Sequence, residues 1–363
     1  MNRPTRRFQA LFFSTVVWLA PAVAGAASSD WDVVPSDDTS SRRNVLAGVD
    51  ALSDSNAWAV GYHGKNGTDP LIEHWNGKRW RIKTSPAING SAVELYGVSA
   101  ASPQAIWAVG RISGSQTHPL IERWDGNAWS VEPIAVDGYL TAVSAVSPTD
   151  VWAVGQRTGS RTLAMHFDGK DWSVVPSPSP GTGVYAFNLL AGVSAASDSD
   201  VWAVGEYFDT TTGQGSLIEY WNGSTWTIQT HPEAAAFVDV SAGSASNVWA
   251  VADSTITEHW NGSSWEKVTA PGIPNQETRF LAVSTVSDSD AWAVGYHETD
   301  GGRKDRQLIE HWNGHAWRIK STPTIGLAML SGVDADSGSD AWAVGWHGTR
   351  RVPGNTLTEH YTG

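Results

Sequence analysis

The sequence predicts an all-β protein, a seven-bladed β-propeller with four-stranded antiparallel blades. Three observations carry this prediction. A run of the type Ala-Trp-Ala-Val-Gly, first at 57–61, occurs seven times, with its tryptophans 43 to 50 residues apart. A second apolar run and a tight turn follow the first copy, as LIEHWNGKRW at 71–80, and versions of both follow the others. The part of the chain that follows residue 26 also starts and ends inside a repeat. A period of this length is typical of repeat architectures.

The first 26 residues differ from the rest. Three arginines at positions 3, 6 and 7 precede an apolar run at 10–19, and small residues follow at 22–26. This pattern predicts a secretory signal peptide over 1–26. We therefore expect a secreted protein, extracellular or periplasmic, with a single mature domain over 27–363. The adjacent arginines leave open whether export uses the general or the twin-arginine route. No later stretch is long and apolar enough to span a bilayer.

Composition narrows the function classes. The formal net charge is −13, and it becomes −16 once the three arginines of the signal are removed. We expect neither nucleic acid nor, after signal cleavage, a membrane as partner, because both attract lysine and arginine. The chain has no cysteine and 21 tryptophans. Since each tryptophan buries roughly 150–250 Å², packing rather than disulfides must stabilise the fold.

Each repeat predicts four strands, which in the first are A at 46–49, B at 58–61, C at 71–75 and D at 80–83. In every repeat 12 residues separate the apolar start of A from the tryptophan of B. In the six that continue into D, the aromatic residue of C and the tryptophan of D are five apart. The Asn-Gly or Asp-Gly pair between C and D predicts a type I′ hairpin. The predicted blades are approximately 45–85, 95–133, 140–177, 189–230, 236–269, 279–321 and 329–363 plus 30–36.

The two ends of the chain complement each other. WDVVPS at 31–36 is similar to WSVVPS at 172–177, which ends the third repeat. EHYTG at 359–363 matches EHWNG at 73–77, and no D strand follows it. We therefore predict that the strand around Trp31 completes the last blade. This closes the ring, whereas an open solenoid would need polar caps.

The two ends of each blade differ in how much their loops vary. The A–B and C–D turns have constant lengths and share one face. On the other face, the step from the tryptophan of B to the aromatic residue of C ranges from 11 to 20 residues. Loops that vary on a fixed scaffold usually carry binding or catalysis. We therefore expect the functional site on the variable-loop face.

At the level of the repeat, the pattern DVWAVG followed by LIEHWNGxxW resembles uncharacterised secreted bacterial proteins with WAVG repeats. It is more loosely similar to seven-bladed bacterial propeller lectins, whose blades combine an aspartate-led second strand with a W-(D/N)-G-x-x-W hairpin. The resemblance covers Trp31 to Gly363. It implies a propeller fold, and its lectin part implies carbohydrate binding. The hairpin occupies the place of the Asp-box turn of sialidase-like propellers but lacks the full pattern, so sialidase chemistry is not implied.

A residue type that recurs in nearly every blade is expected to hold the blade together. The tryptophan of strand B fits this role. The carboxylate and the next residue of strand C have two interpretations: a hydrogen-bonded ladder, or repeated sugar sites between blades as in a multivalent lectin. The carboxylates are Glu73, Glu122, Glu219, Glu258, Glu310 and Glu359. The residues that follow include His74, His166, His259, His311 and His360.

The first two residues after each WAVG run depart most from the repeat, at the mouth of the variable face. Blades 6, 7 and 1, neighbours in a closed ring, carry aromatic–histidine pairs; blades 2 and 3 carry arginines, and blades 4 and 5 carry acids. A mouth with these three sectors predicts a single ligand-binding site. The candidates are Tyr62, His63, Arg111, Arg157, Glu206, Asp253, Tyr296, His297, Trp346 and His347.

Three function classes remain open. The first is a module that binds an extracellular glycan or protein. The second is a hydrolase or lyase, with Glu206 and Asp253 as acid/base candidates and His297 or His347 as partners. The third is a protein-interaction scaffold. His63, His297 and His347 could ligate a metal, but they lie on separate blades without a carboxylate nearby, so we predict no metal. No cofactor motif is present, and the sequence leaves the oligomeric state open.

Overall fold

Seven four-stranded antiparallel sheets, arranged as the blades of a propeller, make up the computed structural model. It describes residues 29–40, 43–64, 69–88, 92–299, 301, 304–349 and 352–363. The predicted signal peptide lies outside the described residues. The described part of the chain contains no helix with the length and apolar character needed to cross a membrane. The predicted fold class is confirmed.

The strands follow one another in chain order from blade to blade. Blades 1 and 2 contain β2 (Asn44–Ser53), β3 (Asn56–His63), β4 (Asp69–Trp75), β5 (Trp80–Ile82), β6 (Ala92–Ser102), β7 (Ala105–Ser113), β8 (Thr117–Trp124) and β9 (Trp129–Val131). Blades 3 and 4 contain β10 (Gly138–Ser147), β11 (Asp150–Arg157), β12 (Arg161–Phe167), β13 (Trp172–Val174), β14 (Phe187–Ser197), β15 (Asp200–Asp209), β16 (Gly213–Trp221) and β17 (Trp226–Ile228).

Blades 5 and 6 contain β18 (Phe237–Ser244), β19 (Asn247–Ala252), β20 (Ile256–Trp260), β21 (Trp265–Thr269), β22 (Thr278–Ser287), β23 (Asp290–Thr299), β24 (Lys304–Trp312) and β25 (Trp317–Ile319). Blade 7 contains β26 (Leu327–Ser337), β27 (Asp340–Thr349), β28 (Val352–Thr362) and the N-terminal β1 (Trp31–Val33). The first strand of each blade lies innermost. These seven strands together line a central channel of about 180 Å³.

The N-terminal strand completes blade 7. β1 pairs antiparallel with β28, with Trp31 opposite Tyr361. The Trp31 side chain is fully buried, and its ring meets Trp292 of blade 6 edge to face at 5.1 Å. This is the contact that the D-strand tryptophan makes in other blades. The predicted closure of the ring is therefore confirmed.

The tryptophan of each WAVG run packs between two blades. Trp58 of blade 1 is 2 % exposed and contacts the rings of Trp124 and Trp129 of blade 2 at 5.1 and 5.5 Å. The glycine of the run permits a close approach within the blade. A Cβ on Gly61 would lie 2.0 Å from the carbonyl oxygen of Val45 on the innermost strand. Both roles belong to the scaffold.

The C–D turns form the predicted hairpins, but the predicted type I′ geometry is wrong. Asn76 is not among the residues with positive φ, whereas Gly77 has a φ of 79°. The Asn76 side chain instead accepts hydrogen bonds from the backbone N–H groups of Lys78 and Arg79, each at 3.2 Å. The asparagine thus closes a four-residue loop through its side chain. The aspartates at the same position of blades 2 and 3, Asp125 and Asp168, do the same.

A ring of hydrogen bonds, which was not predicted from the sequence, joins the seven innermost strands. In each blade one serine or aspartate accepts a hydrogen bond from a backbone N–H group of the next blade, at 2.8 to 3.2 Å. The acceptors are Asp50, Ser99, Ser144, Ser194, Ser241, Ser284 and Asp334. The ring returns from blade 7 to blade 1 through Asp334 and Ala51, so it closes on itself.

Two neighbouring positions of this ring carry carboxylates instead of serines. Burial, together with the nearby charge of Asp334, raises the pKa of Asp50 well above its ordinary value. We expect Asp50→Ser, which installs the residue used by five other blades, to raise the free energy of unfolding at pH 8 by about 1 kcal/mol. The gain should vanish near pH 4, where the aspartate is protonated. Thermal unfolding at both pH values measures this. A loss of stability at pH 8 would contradict it.

Candidate functional site

The histidines of strand C form a ladder on the fixed-length face. His74 lies against the Trp58 ring at 4.3 Å, and its Nε2 atom is 2.9 Å from Asn56 Oδ1. In blade 2, Arg123 takes this place over Trp107, and in blade 4 Tyr220 lies against Trp202. The remaining histidines repeat the arrangement: His166, His259, His311 and His360. Of the two interpretations of these residues, the structure supports the ladder.

The strand-C carboxylates are also structural. All six are 0 % exposed. Three of the six accept hydrogen bonds from the segment that enters from the preceding blade: Glu122 from the Ser85 hydroxyl at 2.8 Å, Glu258 from the Glu233 N–H group at 2.8 Å, and Glu310 from the Gly272 N–H group at 3.0 Å. Burial raises the pKa of Glu122 and Glu310 to about 7, and that of Glu73 and Glu359 to about 8. Carboxyl groups without exposed surface cannot contact a sugar. The interpretation of these positions as repeated sugar sites is therefore wrong.

The mouth of the channel on the variable face is built from strands A and B. Each innermost strand contains a register shift near the mouth, and the residue skipped by the pairing lines the channel. Extra residues of this kind redirect a side chain out of the sheet. In blade 2 the skipped residue is Tyr96. The residue before the apolar position that all seven A strands share lies opposite the first residue after WAVG, as Glu94 lies opposite Arg111. Both strands therefore contribute to the mouth.

Blade 2 carries a network of charged and aromatic groups at this mouth. Arg111 Nε donates to Glu94 Oε2 at 2.6 Å, and its guanidinium lies 5.7 Å from the Tyr96 ring centre. The Tyr96 hydroxyl donates to the same carboxylate oxygen at 2.5 Å. Burial and this hydrogen bond raise the pKa of Tyr96. Burial also raises the pKa of Tyr139 in blade 3, and the charges of Arg111 and of Glu206 in blade 4 both act on it.

Blades 5 and 6 form a second charged group. Asp253 accepts a hydrogen bond from Arg279 at 2.6 Å, and burial raises the pKa of Tyr296 beside them. His297 Nδ1 lies 2.5 Å from the side-chain oxygen of Gln276. Burial lowers the pKa of His297, and the positive charge of Arg306 lowers it further.

Blades 7 and 1 complete the aromatic sector. Trp346 occupies the register position of Tyr62 and Tyr296, but it is 7 % exposed and presents little ring surface. His347 follows it, opposite Ala328. Arg43 covers the Tyr62 ring at 5.2 Å and donates to its hydroxyl at 3.3 Å.

The two remaining candidates, His63 and Arg157, are the last residues of β3 and β11. His63 lies opposite Asn44 and Asp69 at the end of its sheet. Arg157 is exposed and lines a separate cleft between blades 3 and 4, together with Arg161. None of the ten candidates is among the residues that line the channel itself, whereas Tyr96 of strand A is.

The acid/base arrangement considered from the sequence is not assembled. Glu206 accepts a hydrogen bond from Gln214 at 2.7 Å, and Asp253 is paired with Arg279. Within the described residues neither carboxylate forms a hydrogen bond with His297 or His347. In the same part of the chain, no three His, Asp or Glu side chains are grouped so that they could hold a metal ion.

Sequence reasoning missed the contribution of strand A to the mouth, from Glu94, Tyr96, Tyr139 and Arg279. A signal was present. These residues flank the constant apolar residue of strand A, at positions where the other blades carry small or aliphatic side chains such as Val45 and Ala47. The departures from the repeat on strand A could therefore have been paired with those on strand B.

Comparison with known proteins identifies the fold. No protein-family model and no curated protein matches the chain. Among solved structures it is similar to YCF48 bound to D1 peptide (12% identity, TM-score 0.60, covering 93% of this chain and 97% of that one). It is also similar to U3-55K (11%, 0.63, 92% and 98%) and to the WD40 β-propeller domain of Doa1 (12%, 0.59, 91% and 96%). At these identities the chain shares a seven-bladed propeller fold with them.

Proposed function

We propose that this chain is a secreted binding propeller that recognises a segment of another protein at the mouth of its channel, on the variable-loop face. One observation carries the proposal. Several residues that break the sevenfold repeat lie together at this mouth, as Arg111, Glu94 and Tyr96 do in blade 2, and the charges of Arg111 and Glu206 both act on Tyr139 of blade 3. The polar residues that recur from blade to blade, in contrast, belong to the scaffold: the serines and aspartates of the ring bond to the next blade, and the strand-C glutamates are buried.

The chemistry of the mouth suits a peptide. Tyr62, Tyr96 and Tyr139 offer half-buried rings with polar edges, and such rings give large contact areas at low cost in conformational entropy. The carboxylates of Glu94, Glu206 and Asp253 and the guanidinium of Arg111 can match main-chain and side-chain polar groups. The peptide-bound state of the similar YCF48 propeller supports this choice of ligand class. Carbohydrate, the ligand class implied by the lectin resemblance, is the competing ligand.

The test uses the purified protein against a random-peptide phage library and a glycan array, the array with and without EDTA. We expect peptide ligands, whose affinity falls about tenfold or more in the double variant Glu94→Gln/Arg111→Gln. This variant removes the central ion pair of the mouth without changing the net charge. A tenfold loss corresponds to about 1.4 kcal/mol.

The matched control is Lys170→Gln/Asp171→Asn, an exposed ion pair of 3.5 Å in the C–D turn of blade 3 on the fixed-length face. It also conserves net charge and should leave affinity unchanged. Equal binding by both variants would place the site elsewhere. Glycan ligands in the absence of peptide ligands would assign carbohydrate recognition, and binding lost with EDTA would indicate a metal. Export is tested separately, by sequencing the N-terminus of the protein recovered outside the cytoplasm.

A further inference from the structure

A cleft of about 650 Å³ lies between blades 3 and 4 on the variable-loop face, and it shares no lining residue with the channel. One wall is the hairpin at 157–161, which connects β11 to β12. The other wall is the segment at 175–186, which leads from blade 3 to blade 4. Thr162 and Asn188, 8 % and 1 % exposed, lie between these walls.

Buried hydrogen bonds hold both walls in place. The Asn188 side chain accepts from the Gly181 N–H group at 2.7 Å and donates to the Ser160 carbonyl oxygen at 2.8 Å, so one residue joins the long segment to the hairpin. The backbone N–H group of Thr162 donates to Ser179 Oγ at 3.1 Å, and the Thr162 hydroxyl donates to the Pro178 carbonyl oxygen at 2.8 Å. The cleft is therefore preorganised, which lowers the entropic cost of binding.

Two exposed arginines line the cleft. Arg157 and Arg161 lie directly opposite each other in the sheet. Like charges at opposite positions are destabilising, and within the described residues no carboxylate forms an ion pair with either. The arginines of the mouth, Arg111 and Arg279, have such partners. In a chain of net charge −13, these two guanidinium groups form a local positive charge that can attract an anionic group.

An apolar feature lies at the edge of the cleft. Val184 and Tyr185 belong to the segment that forms the second wall and are 88% and 78% exposed. The residues on either side of them, Gly183 and Ala186, line the cleft. An occupant of the cleft can therefore contact both the arginines and an exposed valine and tyrosine.

We propose that this cleft is a second binding site, separate from the mouth, and that it takes an acidic peptide segment with a large apolar side chain next to its carboxylates. Each guanidinium can bind a carboxylate through two parallel N–H donors. Val184 and Tyr185 would cover the apolar side chain. Ser177 lines the cleft and donates its hydroxyl to Thr162 Oγ1 at 2.7 Å, so its oxygen can accept a hydrogen bond from a backbone N–H group of the peptide. An acidic glycan or a free phosphate would supply the anion but not the apolar group.

The probe is a fluorescein-labelled peptide with the sequence Glu-Glu-Phe-Glu-Glu, measured by fluorescence anisotropy at low and at high salt. We expect saturable binding that weakens with salt and falls about tenfold or more in Arg157→Gln/Arg161→Gln. The control Arg79→Gln/Arg318→Gln removes two exposed arginines outside the cleft and should bind nearly as wild type does. The peptide with glutamine in place of glutamate should bind weakly to every variant.

A second pair of changes tests the apolar contact. Tyr185→Ser should weaken binding of the phenylalanine peptide and have little effect on the same peptide with alanine at that position. Absence of saturable binding to wild type, or unchanged binding in a folded Arg157→Gln/Arg161→Gln variant, would overturn the proposal. Tighter binding of an oligogalacturonate than of the peptide would also overturn it, and would assign the cleft to acidic glycans. Because these variants leave the mouth intact, the result is independent of the proposed function.

Discussion

Trp31→Ala is expected to lower the free energy of unfolding by about 3–5 kcal/mol, the usual cost of truncating a buried tryptophan. The Trp31 ring is fully buried and packs against Trp292 at 5.1 Å and Tyr361 at 5.7 Å. Its strand also closes the ring, so the loss acts on the interface between blades 6 and 7. Denaturant unfolding followed by circular dichroism measures the change.

The matched control for this prediction is Val33→Ala in the same three-residue strand. Val33 is 45% exposed, so its truncation should cost less than about 0.5 kcal/mol. Hydrogen exchange adds a local readout, because Trp31→Ala should speed exchange in β28, which pairs with β1. Equal and small losses in both variants would show that β1 is not needed for closure.

The second large effect is a loss of stability as pH rises from about 6.5 to 9. The folded-state pKa is raised to about 8 for Glu73 and Glu359, and to about 7 for Glu122 and Glu310, mainly by burial. In the unfolded chain a glutamate has a pKa near 4.3. The folded state therefore binds more protons than the unfolded state from about pH 4 up to about pH 8. The stabilisation by these protonated glutamates is complete below about pH 4, falls progressively as pH rises, and is fully lost once pH has passed the folded-state values of 7 to 8.

The size of this effect follows from linkage: each retained proton changes the free energy of unfolding by about 1.4 kcal/mol per pH unit. Histidines act in the opposite sense at lower pH. Burial lowers the pKa of His74 to about 4 and also lowers that of His259. The unfolded chain binds more protons there, so stability is lost as pH falls below about 6.5. The alkaline range isolates the carboxyl groups.

Glutamine variants test the assignment. Glu73→Gln and Glu359→Gln keep the shape of the side chain and remove its titration, so each should flatten the decline of stability between pH 6.5 and 9. Glu266→Gln changes an exposed residue of β21 and should leave the profile unchanged. A wild-type profile that is flat, or that rises with pH over this range, would contradict the protonation of the buried glutamates.

Much of the fold could be predicted from the repeat. Constant spacing between Leu46 and Trp58, and between Trp75 and Trp80, defined the blades, because short turns leave few registers in which both apolar faces can be buried. The match between the segments at 31–36 and 172–177 defined the closure. The predicted turn type of the hairpin at Asn76 was wrong. The asparagine closes the turn through hydrogen bonds of its side chain and does not adopt the positive φ that a type I′ turn requires.

The site was predicted less completely, for a physical reason. Alternation along one strand shows which residues leave the core, but it does not show which residues of the neighbouring strand meet them. Arg111 was found in strand B, whereas its partner Glu94, 17 residues earlier on strand A, was not. The cleft at Arg157 depends on the fold of the segment at 175–186, and its composition gave no indication of the hydrogen bonds to Asn188.

The central claim is that recurring residues form the scaffold, and that the residues breaking the repeat on the variable face bind the ligand. Hydrogen exchange of the protein with and without a peptide captured by its mouth tests this most directly. We expect slower exchange at the variable-face ends of β6, β7, β10 and β15. No protection is expected at the C–D turns, such as 76–79. Protection confined to the C–D turns and the A–B turns would contradict the claim.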